Sequence, residues 1–312
     1  PGCEHRVSSD RPPRRPPRAG PPHGPPHGPP RRDRPAPPPR APRPRPGPPG
    51  PARGRPGQGA PAARQAPFGP TRNIRLLVEY EGTRYAGWQV QELQRTVAGE
   101  ILSAIRATLH DAPKLIGAGR TDQGVHAEGQ VANFYTRSAL PPPQIAEALN
   151  QILPADINIL EARDVPLGFH ARHDAVMRRY RYQIAARRSA FFKRLIWWVR
   201  QPLAFQAMEQ AARCLVGRRD FSSFADRSAE VAEPRVHVVT ASFRRGDFLT
   251  SFTIEADHFL PRMVRRVVGV LVQIGLGNLP PEAVERFLSQ TVDDPAQWTA
   301  PSSGLFLERV IY

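Results

Sequence analysis

Gly119-Arg120-Thr121-Asp122-Gln123-Gly124-Val125-His126-Ala127 lies between two runs of strand character, at about 114–119 and 125–135. This strand–loop–strand unit is the centre from which the rest of the chain can be laid out. The loop holds one carboxylate, with a guanidinium two residues before it and a glycine two residues after. If the chain stays extended from Arg120 to Asp122, the two side chains share a face. Arg120 then favours the ionised form of Asp122, because a nearby cation offsets the effect of burial. Gly119 and Gly124 permit backbone angles closed to other residues, so the loop can turn sharply and a ligand can come close. An ionised carboxylate held this way can act as a nucleophile or a base. A lone Arg-Thr-Asp would read instead as a surface ion pair in a hairpin turn.

Working outward, Ile74 to Tyr80 reads as a strand, and Val97, Ile101, Ile105 and Leu109 recur at helical spacing after Thr96, an N-cap residue type. A helix at about 143–152 follows three prolines, and a strand covers about 157–164. Residues 178–185 read as a strand, followed by an irregular basic and aromatic stretch. Phe205, Met208, Ala212 and Leu215 mark a helix ending at Gly217, and strands at about 235–243 and 247–256 flank a turn at Gly246-Asp247. Helices at about 261–275 and 281–289 precede a last strand, 305–312. The order β-α-β-β-α-β thus occurs twice, at 73–164 and 178–312, which predicts an α+β protein of two ferredoxin-like lobes.

Composition changes sharply near residue 70. Residues 1–70 hold 25 of the 38 prolines, 14 of the 44 basic residues and three acids, a net charge of +11 within the total of +16. Their only large apolar side chains are Val7 and Phe68. Such a segment cannot offset its chain entropy by burial, so a disordered Pro/Arg-rich tail is predicted over 1–71. The expected lobes are then 72–176, which holds the Asp122 loop, and 177–312. No apolar run approaches the ~20 residues of a membrane span. The N-terminal residues lack the apolar region of a secretory signal, and two cysteines, Cys3 and Cys214, suggest no disulfide framework. A cytoplasmic protein is expected. Of the basic residues only Lys114 and Lys193 are lysine.

The loop resembles the catalytic loop of the TruA-type tRNA pseudouridine synthases, and the resemblance extends along the chain. It is carried by Tyr80-Glu81-Gly82-Thr83, Gly87-Trp88-Gln89 with Gln91, and Arg95-Thr96-Val97 with Glu100. Phe169, Arg172 and Arg179-Tyr180-Arg181-Tyr182 resemble the family's central segment. Asp220-Phe221-Ser222-Ser223-Phe224, Met263-Val264-Arg265 with Val268-Gly269, and Gly304-Leu305 continue it to the C-terminus. The resemblance implies two lobes whose antiparallel sheets join around a central cleft. It also implies isomerisation of uridine to pseudouridine in the anticodon stem-loop of tRNA, at positions 38, 39 and 40, by a homodimer. Asp122 is then the nucleophile, whether toward base or sugar. The reaction exchanges a C–N for a C–C glycosidic bond with no redox step, so no cofactor and no metal are expected. A rival reading is a tRNA-binding or folding module whose catalysis is dispensable.

Other residues fit around this centre. Tyr180 and Tyr182 share one strand face and Arg179 and Arg181 the other. The resemblance implies that Tyr180 contacts the target base, while Tyr182 suits core packing. Arg262, Arg265 and Arg266 open a helix that is otherwise almost wholly apolar. Cations there oppose the helix dipole by roughly 0.3–1 kcal/mol each, so they should have anionic partners. Asp122, Asp257 or RNA phosphate could serve, and Arg120 and Arg265 are read as substrate-binding. Trp88 reads as a plug, His126 as a residue that shapes the loop by hydrogen bonding, and Cys214 as core. His170 and His173 lack the company of a metal site. Phe306 stands where the family pattern has tyrosine, which predicts a missing hydroxyl near the cleft.

Overall fold

The computed structural model describes residues 71–226 and 233–312. The expected tail therefore lies outside the described residues. The first half runs β1 (Arg72–Tyr80), α1 (Val97–Leu109), β2 (Ile116–Gly117), β3 (His126–Thr136), α2 (Pro142–Ile152) and β4 (Ile157–Val165). The second runs β5 (Met177–Ala185), β6 (Trp197–Trp198), α3 (Phe205–Arg213), β7 (Gly217–Asp220), β8 (Arg235–Arg244), β9 (Leu249–Ala256), α4 (Met263–Gly275), α5 (Ala283–Ser289) and β10 (Leu305–Ile311).

Local chemistry sets these limits. Thr96 caps α1 by accepting the Gly99 N–H at 3.2 Å, and Val97, Ile101, Ile105 and Leu109 are all buried, as their spacing predicts. Prolines at the first positions of α2 fix φ where no intrahelical N–H is needed. In β5, Tyr180, Tyr182 and Ile184 are buried while Arg179 and Arg181 alternate onto the other face.

All ten strands of the described residues join one sheet in the order β4-β1-β3-β10-β5-β9-β8-β7, with β2 on β3 and β6 on β5. Each half repeats one pattern. In the first it is β4-β1-β3-β2; in the second it is β10-β5-β9-β8, extended by β7. This is the doubled α+β arrangement that the strand and helix order predicts, with β6 and β7 as additions that carry no signal in the sequence.

The halves meet where β10 pairs with β3, in parallel and through two residue pairs only, Phe306 with His126 and Leu307 with Ala127. Because β1 occupies the other edge of β3, β2 and β10 divide one edge between them, β2 opposite Ala132 and Asn133 and β10 opposite His126 and Ala127. The strand expected over 114–119 is therefore only two residues long. The chain that leaves it, 118–125, emerges at the seam between the half-sheets. One apolar cluster runs through both halves, from Ile74, Leu76 and Phe134 to Phe252, Met263 and Leu271.

Candidate active site

The loop at the seam is held from several sides. The Ala118 N–H still donates to Val131 O at 2.8 Å; the backbone then bends at 118–119 and leaves the sheet. The Trp88 N–H donates to Thr121 O at 3.1 Å and the Gly124 N–H to Tyr85 O at 3.3 Å. The Thr121 hydroxyl pairs with that of buried Tyr80 at 2.8 Å, and Gln130 Nε2 donates to Gly119 O at 3.0 Å. Two glycines make the turn possible. Gly124 has φ +76°, and a Cβ there would stand 2.5 Å from Ser302 Oγ; Gly87, at φ +99°, would meet Thr121 O at 2.5 Å. Gly119 has neither a positive φ nor a neighbour within 4 Å, so its expected role in the turn passes to Gly87.

His126 anchors the exit of the loop. The Gly82 N–H donates to its Nδ1 at 3.0 Å, which leaves Nε2 as the donor toward Ser303 O at 3.2 Å. Burial lowers its pKa below the usual histidine value, against the opposing charge of Glu81. A neutral imidazole making two hydrogen bonds matches the shaping role the sequence suggests.

Asp122 stands at the head of this loop, and its ionic partner is Arg265, with Nη1 3.3 Å from Oδ2. The Arg265 Nε donates to Ala300 O at 2.8 Å, so the guanidinium is fixed from behind while one edge faces the carboxylate. This corrects the expectation for Arg120. The bend at 118–119 breaks the extended alternation on which that pairing depends; Arg120 is exposed and makes no ion pair or hydrogen bond among the described residues. Arg262 pairs with Asp226 at 3.1 Å rather than with Asp257, which instead meets Arg218 at 3.6 Å and His258 at 2.9 Å. Arg266, the third cation of the turn, donates to Ala225 O.

Asp122, Arg120, Arg262 and Arg265 line two adjoining hollows, of about 1180 and 760 Å³. The larger is walled by Lys114 and five arginines (120, 172, 178, 262 and 265), against the carboxylates of Asp122 and Glu233 alone. A concave surface with that excess of cations concentrates anions. Tyr180 lies in its wall, 9% exposed, its ring edge-on to Phe259 at 4.9 Å. Burial foremost, then the nearby Tyr80 and Asp122, raise the Tyr180 pKa, so the phenol is neutral at physiological pH. Tyr182 is fully buried and donates to Pro301 O at 2.7 Å, in keeping with a packing role.

Other expectations divide. Trp88 is buried, tilted against Tyr80 with ring centroids 6.0 Å apart, and fills the space above Gly117, as a plug should. Phe306 is not at the cleft: it stacks on His126 at 4.7 Å and carries the Arg181 guanidinium at 5.1 Å, whereas its neighbour Leu305 lines the cleft. Strand alternation puts residue 306 on the opposite sheet face, so a hydroxyl there would not enter the site. Cys214 is half-buried at the end of α3 rather than in the core. His170 and His173 lie in the cleft wall with ring centroids 4.2 Å apart and planes tilted by 40°, and no group of three or more metal-binding side chains occurs among the described residues.

Two residues of the site give no distinctive signal in the sequence. Phe259, which holds the Tyr180 ring, sits in an irregular connection without periodicity. Arg178 donates to the carbonyls of Ala175, Asp257, Arg172 and Ala118, at 2.8–3.2 Å, and so ties the strand entering the Asp122 loop to the second half. By pattern alone it is one more polar residue at the start of β5.

Comparison with known proteins agrees with this geometry. Residues 76–174 and 211–312 match the family described as tRNA pseudouridine synthase. A protein of Acetivibrio thermocellus named tRNA pseudouridine synthase A is 41% identical over 244 residues, 77% of this chain and 100% of its own. Proteins of the same name from Moorella thermoacetica and Halalkalibacterium halodurans are each 42% identical, over 77% and 76% of this chain and 99% and 92% of theirs. The first matched segment includes the Asp122 loop and the second includes α4 with Arg265; the chain belongs to the tRNA pseudouridine synthase family.

Proposed function

We propose that this chain converts uridine to pseudouridine in the anticodon stem-loop of tRNA, at positions 38, 39 and 40, with Asp122 as the nucleophile. The isomerase activity on tRNA is that of the family. The finer reading rests on one observation above all: a carboxylate at the head of a tightly held loop, paired with Arg265 at 3.3 Å, within a cation-lined cleft.

The reaction breaks the bond from ribose C1′ to uracil N1, turns the ring and forms a bond from C1′ to C5; the C5 proton leaves and N1 gains one. It needs an anion at the sugar or base, a surface that keeps the detached ring, and an acceptor for one proton. Asp122 supplies the anion, and Arg265 keeps it aligned. The Tyr180 ring offers a platform for the uracil, since aromatic side chains stack on bases that have left a helix. Arg120, exposed and without a protein partner among the described residues, is free to meet phosphate. A binding or folding module without catalysis would have no need of a carboxylate held in this way.

Homodimer formation, with one tRNA touching both subunits, and action in the cytoplasm complete the proposal, as does a division into lobes at 72–176 and 177–312. The repeated strand order and the two-pair contact between β3 and β10 support that division. Among the described residues no helix is long and apolar enough to cross a membrane. Carbodiimide mapping of pseudouridine in unmodified tRNA incubated with the purified protein tests the activity and the positions together. The Asp122→Asn variant should bind that tRNA with nearly unchanged affinity and leave every uridine intact. Turnover within tenfold of the parent would remove Asp122 from the chemistry.

A further inference from the structure

Outside the cleft, the segment between β5 and α3 carries a surface that the reaction does not use. Residues 186–201 contain five cations (Arg187, Arg188, Lys193, Arg194 and Arg200) and no acid. The same segment exposes aromatic rings: Phe191 is 94% exposed, Phe192 46% and Trp198 39%. A single exposed ring would be ordinary, but three in one short basic segment are the kind of grouping that marks an interaction surface. Two of the arginines already lie over rings, Arg187 over Phe248 at 4.4 Å and Arg188 over Trp198 at 5.4 Å. A guanidinium over a ring can still turn N–H groups toward phosphate oxygens, although one Nη of Arg187 already donates to Arg188 O at 3.2 Å.

The ledge adjoins the smaller hollow at Asp122 by two routes. Arg194 reaches Glu81 at 3.9 Å, and Glu81 in turn accepts from Thr83 on the hollow's wall at 3.1 Å. On the other side Ser303, also on that wall, donates to Ile196 O at 3.3 Å.

We infer that this ledge is a second RNA-contact surface, on which Phe191 and Trp198 stack unpaired bases and the flanking cations meet phosphates of the strand running away from the target nucleotide. The inference rests on tRNA being the substrate. Alternating cations and exposed rings are the chemistry that holds single-stranded nucleic acid. A second copy of this chain fits less well: in a two-fold contact the patch would face itself, setting five cations against five.

Phe191 gives a clean test, because its exposure leaves nothing to destabilise. Phe191→Ala and Phe191→Leu should each raise the Kd for full-length tRNA at least about fivefold, and Phe191→Trp should restore it, with kcat at saturating tRNA unchanged in all three. Arg187→Gln with Arg188→Gln should flatten the slope of log affinity against log salt by about 0.7 for each phosphate that is no longer neutralised. If Phe191→Ala keeps the Kd within twofold while Asp122→Asn still abolishes turnover, the ledge is wrong and the catalytic reading stands. A change in the mass measured by light scattering, in place of a change in Kd, would make the patch a subunit contact and equally overturn the inference. If the parent protein neither binds nor modifies tRNA, both readings fall.

Discussion

Replacing Arg265 by glutamine separates the electrostatics of the site from the stability of the fold. Arg265 lies in the first turn of α4, 18% exposed, with Asp122 at 3.3 Å and Ala300 O at 2.8 Å. Two effects on folding oppose one another. Removing a cation from a helix N-terminus stabilises by about 0.3–1 kcal/mol. Removing an ion pair whose carboxylate is about one-third exposed costs about 1 kcal/mol or less, since water screens it. Losing the hydrogen bond to Ala300 O costs about 1 kcal/mol more, so the sum is about 1 kcal/mol and the melting temperature should fall by no more than about 4 °C for a domain of this size. Catalysis has no such compensation. Asp122 is deprived of the charge-assisted hydrogen bond that aligns it, and a hydrogen bond to a charged group contributes about 1.5–3 kcal/mol. If most of that is expressed in the transition state, kcat should fall by about ten- to a hundredfold. Arg265→Lys should fall between the two, because one ammonium cannot hold Ala300 O and Asp122 with the planar fork of a guanidinium. Single-turnover kinetics at saturating tRNA, with calorimetry on the same samples, would decide. The reasoning is refuted if Arg265→Gln keeps kcat within twofold, or if it melts more than about 10 °C early and so acts on the fold.

Tyr180→Phe should bind tRNA like the parent but turn over more slowly, whereas Tyr180→Leu should also weaken binding, because stacking tolerates removal of a hydroxyl but not of the ring; equal behaviour of the two would exclude the platform. Burial lowers the pKa of His126. Its folded-state value therefore lies below that of the unfolded chain, so its share of stability is complete above about pH 6.5 and is lost as pH falls through the folded value. His170 shifts the same way, so the check is a comparison: melting temperatures of the parent and of His126→Asn between pH 7.5 and 5, which should converge as the pH falls. A constant difference across that range would mean His126 does not titrate with folding. Deleting residues 1–70, which carry +11, should weaken tRNA binding at low salt and flatten its salt dependence without changing kcat at saturation. An unchanged slope in filter-binding titrations would make that segment a bystander.

What can be read from sequence and what cannot follows the range of the interactions. Elements set by local periodicity are legible nearly whole: the apolar stripe of α1 with its Thr96 cap, the alternation in β5, and the apolar length of α4 all match the structure to within a few residues. The differences lie where distant segments compete for the same place. A strand over 114–119 is sound by local pattern, but β10 takes that part of the β3 edge and leaves β2 two residues. An Arg120–Asp122 pair follows from spacing alone, and a bend at 118–119 is enough to replace Arg120 with a guanidinium 143 residues away. Asp226, the partner of Arg262, follows a short turn and has no pattern that marks it.

The seam itself explains why the site takes its parts from both halves. A sheet with unbroken pairing leaves no gap in which a loop can carry a carboxylate out of the ladder. Here β2 stops after Gly117, β10 begins its pairing at His126, and the backbone between them is released. That release would leave the loop unsupported, and the support comes from elsewhere: Tyr85 and Trp88 from one side, Arg265 and Arg178 from the other. Arg265 is where it is because α4 is buried almost throughout, which fixes the start of the helix against the loop. Placing cations at a helix start is unfavourable by about 0.3–1 kcal/mol each. In this chain all three have acceptors: Asp226 for Arg262, Asp122 for Arg265 and Ala225 O for Arg266. Asp122 is thus held by a charge whose position depends on the second half being folded against the first, so the placing of this carboxylate and the joined sheet are one condition.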